Sequence, residues 1–101
     1  MNALNWLSDW YKLNCNGDWE HHYIIKIKRL DNPGWSIIID LEDSISPLKN
    51  FPWKLIEKSD HDWYGFKVEN DKFDAAGDPS KLEFLINLFK EFVETEGIDN
   101  S

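Results

Sequence analysis

The chain has 101 residues, 42% hydrophobic and 30% charged, with a formal net charge of −8. That length builds one domain, residues 1–101, around one modest core. Its longest apolar run, Trp35 to Ile39, falls far short of the roughly 18 residues of a membrane span, and its excess of carboxylates argues against direct binding to nucleic acid, whose phosphates demand Lys and Arg.

The first segment, "NALNWLSDWYKLNC", spaces Leu4, Leu7 and Tyr11 by three and four, with Ala3, Trp6, Trp10 and Leu13 alongside. This predicts an amphipathic helix with a wide apolar face, capped by Asn2 or Asn5. "NGD" (16–18) ends it, with Gly17 free to take the left-handed conformation. The period then drops to two. In "HHYIIKIKRL", Tyr23, Ile25 and Ile27 fall on one side and Lys26 and Lys28 on the other, which predicts a half-buried strand from His21 onward. "DNPG" (31–34) is a turn. A second strand comes next in "WSIIIDLE", with Trp35, Ile37, Ile39 and Leu41 inward. "DSISPLKN" is a longer connection stopped by Pro47, and "FPWKLIEKS" a third strand that admits Pro52 only at its start or on an edge. "DHD" (60–62) turns into a fourth strand, "WYGFKVEN", with Tyr64, Phe66 and Val68 on one face. Asp71, Asp74 and Asp78 are read as an acidic turn after this strand, and Phe73 and Gly77 as loop. Leu82, Leu85, Ile86, Phe89, Phe92 and Val93 then form the stripe of a closing helix, with Asp78 as its N-cap and Pro79 in its first turn. The expected architecture is α+β: a four-stranded antiparallel meander with the N-terminal and C-terminal helices packed on one face.

Charge and aromatics are both uneven. Residues 1–56 hold 7 acids and 6 bases, whereas residues 57–101 hold 12 and 5, so the acidity belongs to the second half. That balance fits a basic partner or simple solubility. The 6 tryptophans exceed what one small core accommodates with every indole N–H bonded, so some are expected at the surface, where Trp is a common interface anchor.

The stretch "CNGDWEHHY" (15–23) concentrates reactive side chains. Asp18, Glu20 and His22 at spacing two, with His61 from another turn, are the raw material of a metal-dependent or acid/base hydrolase. Against this, His21 and His22 in a strand point to opposite faces, and neither Cys-x-x-Cys nor His-x-x-x-His is present. Cys15 lies at a helix C-terminus, where the dipole disfavours a thiolate, so it is expected to be a small buried hydrophobe. A structural corner accounts for more of the residues. Gly17 allows the reversal, Trp19 plugs the junction of helix and sheet, and Glu20 or Asp18 accepts free backbone N–H groups. No cofactor is implied.

Three motifs carry a family resemblance: Trp-Leu-x-x-Trp-Tyr (6–11), Cys-x-Gly-Asp-Trp-Glu-His (15–21) and Leu-Asp-Asn-Pro-Gly-Trp (30–35). In this order, and with the looser match of "SDHDWYGFKVENDKFDAAGDPSKLEFLINLF", the chain resembles immunity protein family 53 of bacterial polymorphic toxin systems. Tyr23-Ile24-Ile25 stands where the family commonly shows Tyr-Gly-Ile, a departure that touches strand packing. The resemblance implies a small cytoplasmic protein that binds a toxin domain and blocks it. A cytoplasmic location also fits the single Cys15 and an N-terminus without the pattern of a signal peptide.

The leading expectation is therefore an immunity protein, not an enzyme, whose acidic and aromatic surface occupies a basic cleft in a cognate toxin, nucleases being one such class. The expected contact residues are Asp60, His61, Asp62 and Trp63, with Asp18 and Glu20 as a second site. The hydrolase built on Asp18, Glu20 and His22 is the alternative, and a general adaptor without a toxin is a third reading.

Overall fold

In the computed structural model, which describes residues 2–99, the Asn2 side chain accepts the Asn5 N–H at 2.8 Å and starts α1 (Ala3–Asn14). Ala3, Leu7, Trp10 and Asn14 face inward at spacings of three and four, whereas Leu4, Tyr11 and Leu13, expected on that face, are exposed because the buried stripe is narrower than the sequence suggests. Gly17, at φ +88°, reverses the chain. The next segment departs from the expected strand. Residues Trp19–His22 form a one-turn helix, α2, so His21 and His22 are helical and not opposed across a strand. Two hydrogen bonds drive this, from the Asp18 and Trp19 N–H groups to Asn16 Oδ1, both at 2.9 Å.

The strands are β1 (Ile25–Leu30), β2 (Gly34–Asp40), β3 (Phe51–Ser59), β4 (Asp62–Glu69) and β5 (Lys72–Gly77). The sheet has five strands and not four, in the order β1-β2-β5-β4-β3, with every pairing antiparallel. It is therefore no simple meander. One hairpin, β1–β2, lies beside a second unit, β3–β4–β5, and the fifth strand joins them. The β4–β5 turn is Asn70–Asp71, with φ of +53° and +58°. Two consecutive left-handed residues make a type I′ turn, whose twist matches that of the flanking strands. Phe73 and Ala75 then point into the core, and Lys72 and Asp74 point away. Pro52 is tolerated because β3 is an edge strand.

The 41–50 connection carries the chain from β2 to that far edge and is fastened to α1. Trp10 Nε1 donates to Ser46 Oγ at 3.0 Å, and Asn14 Oδ1 accepts the Ile45 N–H at 2.8 Å. α3 (Leu82–Asp99) closes the fold. Its Phe89 ring lies 5.1 Å from both Trp10 and Phe73, and its Phe92 ring 5.6 Å from Phe66. Asp78 is not its N-cap. The helix begins later, at Leu82, and Asp78 is buried in the turn before it.

The helices α1 and α3 cover the sheet side bearing Ile37, Ile39, Phe66, Val68, Phe73 and Ala75. On the opposite side Trp53 lies over Gly65, where only glycine leaves the indole room, and Trp63 reaches Gly34 at ordinary contact distance. Gly34 is the stricter case, because a Cβ there would run into the backbone carbonyl oxygen of Gly77 on the neighbouring strand. Gly34→Ala is expected to lower stability by about 1–3 kcal/mol through this overpacking. Urea unfolding measures it, and an unchanged midpoint would contradict the β2–β5 register.

Candidate partner-binding surfaces

The residues expected to meet a partner fall into two groups, and the fold places them at opposite ends of the sheet. Asp60, His61, Asp62 and Trp63 occupy the β3–β4 turn and the start of β4, next to the end of β5. Asp18 and Glu20 lie at the α1–α2 corner, which abuts the end of β2 through a bond from Trp19 Nε1 to the Glu42 carbonyl at 3.1 Å. The two groups form no single patch.

At the β3–β4 turn, Asp60 and His61 are exposed. Asp62 is not a free carboxylate. It accepts Lys81 Nζ at 2.7 Å, and the same ammonium reaches Asp78 at 2.8 Å. Asp78 is 1% exposed and also accepts the Trp63 N–H, the Ser80 N–H and the Ser80 hydroxyl. Burial alone would raise its pKa, but the hydrogen bonds from Lys81, Ser80 and Trp63 outweigh burial and hold it far below the usual carboxylate range. Lys81 is correspondingly raised by Asp62 and Asp78. Trp63 is half-buried, pinned by its backbone to this network. The turn is a structural fastening with Asp60 and His61 at its tip.

At the other end, the corner is built from its own backbone. Both Glu20 oxygens are taken, by the N–H groups of Asn16 at 3.0 Å and Gly17 at 2.9 Å. Hydrogen bonds from its own backbone N–H and from these two lower its pKa. Asp18 stays exposed, 3.2 Å from His22 across the helical turn. Trp19 is 1% exposed and meets Trp10 edge-on at 5.9 Å, so the expected plug is in place. Cys15, expected to be buried, is exposed at the α1 terminus, with its thiol against the Tyr11 carbonyl at 3.3 Å.

Around this corner the fold gathers carboxylates that the linear sequence scatters. The Tyr23 hydroxyl donates to Asp43 at 3.0 Å. Its pKa is pushed up to about 12 by that bond, by burial and by the charges of Asp43, Glu42 and Asp18. Lys72 is raised by its bond to the buried Asp40, with Glu42 and Asp71 adding to the field. Asp18, Glu42, Asp43 and Asp71 are all exposed at this end. Glu42 and Asp43 are not singled out by the sequence, whereas Asp71 belongs to the acidic turn expected after the fourth strand. The available signal was Asn70-Asp71 as a tight turn.

The hydrolase constellation is not assembled. Asp18 and His22 meet, but Glu20 turns back onto the backbone and His61 sits at the far end of the sheet. Among the described residues no three His, Cys, Asp or Glu side chains are placed to hold a metal ion. Asp74, read from sequence as part of an acidic turn, lies mid-strand opposite Lys67 and Ile38.

A family model described as immunity protein 53 matches residues 4–94. No curated protein and no solved structure matches the chain.

Removing the Asp78 charge leaves Lys81 nearly buried, at 16% exposure, with one partner fewer. Asp78→Asn is expected to cost about 3–5 kcal/mol in urea unfolding. The native pKa is depressed, so the stability Asp78 contributes is complete above about pH 4 and is lost as pH falls toward the native value. A wild-type stability curve that stays flat below that pH would contradict the network. Trp19→Ala is likewise expected to cost about 3–5 kcal/mol, enough to leave much of so small a domain unfolded. A thermal melt coinciding with wild type would show that the ring does not support the corner.

Proposed function

The chain belongs to the immunity protein 53 family, and from that premise we propose that it neutralises a cognate toxin in the cytoplasm by binding it through an acidic surface with aromatic support. The toxin surface that fits is a basic cleft, as in an enzyme that acts on nucleic acid. The family match carries this reading. The surface that supports it best is the end of the sheet where Asp18, Glu42, Asp43 and Asp71 are exposed together, with Tyr23 and the corner of Trp19 behind them. Carboxylates on a rigid, internally bonded corner lose little freedom on binding, and their joint field speeds encounter with a basic partner.

The β3–β4 turn is the second surface. Asp60 and His61 are exposed there, but the Asp62 charge is already matched by Lys81, which leaves less negative potential for a partner. Inhibition then needs no chemistry from this chain, only occupation of the toxin's cleft. Among the described residues no helix is long and apolar enough to cross a membrane.

The deciding experiment pairs the protein with the toxin domain of its own genetic neighbourhood. Asp18→Lys combined with Glu42→Lys alters exposed side chains and leaves the Trp19 to Glu42 backbone bond intact. Association with the toxin is expected to slow by roughly tenfold or more at low salt, and its salt dependence to flatten. Asp60→Lys is the comparison. If Asp60→Lys carries the larger loss, the β3–β4 turn is the contact. If the wild-type protein does not bind or protect against the toxin, the immunity reading fails.

A further inference from the structure

β1 is an edge strand, and among the described residues no other strand pairs with its outer side. The Asp40 N–H donates to the Ile24 carbonyl at 3.0 Å, and the register continues Lys26 opposite Ile38 and Lys28 opposite Ser36. In an antiparallel pair hydrogen-bonded and non-bonded positions alternate. The backbone groups of residues 24, 26 and 28 therefore face β2, and those of Ile25, Ile27 and Arg29 face outward.

Beside this edge, on the helix side, the sheet extends past its cover. A groove of about 390 Å³ opens there between α1 and β1, with Leu7, Tyr11, Tyr23 and Ile25 as apolar walls and Ser8 and Glu20, whose carboxylate is held by backbone N–H groups, as polar ones. Tyr11 is 40% exposed and Ile27 39%, although Ile27 points to the same side of the sheet as the core. On the opposite side of β1, Lys26 and Lys28 are exposed, and their cross-strand neighbours, Ile38 and Ser36, carry no charge. An incoming strand would thus meet apolar groove and ammonium groups alternately.

That alternation selects the occupant. A second copy of β1 is disfavoured, because it would bring Lys26, Lys28 and Arg29 of each edge together, the arrangement by which natural sheets block self-pairing. We propose that β1 binds an extended segment of a partner protein that alternates apolar and acidic side chains, adding a strand to the five-stranded sheet. Apolar residues opposite Ile25 and Ile27 enter the groove beside Leu7 and Tyr11. Acidic residues between them meet Lys26 and Lys28. Tyr23 lies between this groove and the carboxylates proposed for toxin capture, but the inference rests on the β1 edge and stands whichever of those surfaces makes the toxin contact.

The test uses the full chain and two short synthetic peptides, one alternating valine with glutamate and one alternating valine with lysine. Amide hydrogen exchange reads the contact residue by residue. With the glutamate peptide, the outward N–H groups of Ile25, Ile27 and Arg29 are expected to become protected, and the lysine peptide should bind at least about tenfold more weakly. The double variant Lys26→Glu, Lys28→Glu should reverse that preference while melting like wild type. Ile27→Pro removes an outward N–H without removing a bond to β2 and should weaken the glutamate peptide specifically. The proposal is overturned if neither peptide binds at about 1 mM, if the glutamate peptide binds without protecting those three amides, or if the double variant keeps the original preference.

Discussion

Phe73 sits where every layer of this domain meets. Its strand has hydrogen-bonded neighbours on both sides, with Ile39 across one pairing and Val68 across the other. Above it stand Phe89 and Phe92 of the closing helix. Without β5, the β1–β2 hairpin and the β3–β4 hairpin would be two separate ribbons, and an isolated two-stranded ribbon is marginal in water. The type I′ turn at Asn70–Asp71 makes the insertion possible, because it returns the chain at once alongside β4. The 41–50 connection must then travel to the far edge, and Trp10 and Asn14 of α1 hold it on the way.

The end of β5 also sets the charge pattern of the domain. Gly77 delivers the chain to Asp78, which is buried against β4 and answered by Lys81. A carboxylate in that position is tolerated only when its lone pairs are filled, and here the backbone of Trp63, Ser80 and an ammonium fill them. The domain therefore commits two of its acids, Asp62 and Asp78, to fixing the entry of α3. At the other end of the sheet the Lys72 ammonium is bonded to the buried Asp40, and Asp18, Glu42, Asp43 and Asp71 remain turned to solvent. Net charge alone does not locate an acidic surface. Internal pairing decides which carboxylates are left to act outward.

The tryptophans divide in the same way. Trp10 and Trp19 are buried, and each indole N–H has a partner, in Ser46 and the Glu42 carbonyl. Trp35 reaches the Pro79 carbonyl from a half-buried position. Trp53 is 49% exposed on the uncovered side of the sheet. Six indoles are accommodated because only some of them belong to the core.

Local pattern was enough for α1, with its Asn2 cap, for β1 from Ile25 onward, for β2, β3 and β4, and for the α3 stripe, since each repeats its apolar residues at a period that only one element type satisfies. The Gly17 reversal and the Trp19 plug were legible for the same reason: a glycine free to be left-handed, beside a large apolar ring, has few other uses. β5 was not. "KFDAAG" has one large apolar side chain, and its strand character comes from two neighbours that supply both rows of hydrogen bonds. The helical state of His21 and His22 depended on Asn16 accepting two backbone N–H groups, a competition between local bonds and strand pairing that spacing does not resolve. By itself the sequence determined the α+β class, the kinds of most elements and the acidic excess, because these are properties of short segments and of composition. Only the tertiary structure decided strand order, which carboxylates are paired and which are gathered at one end, because those depend on contacts between residues far apart in the chain.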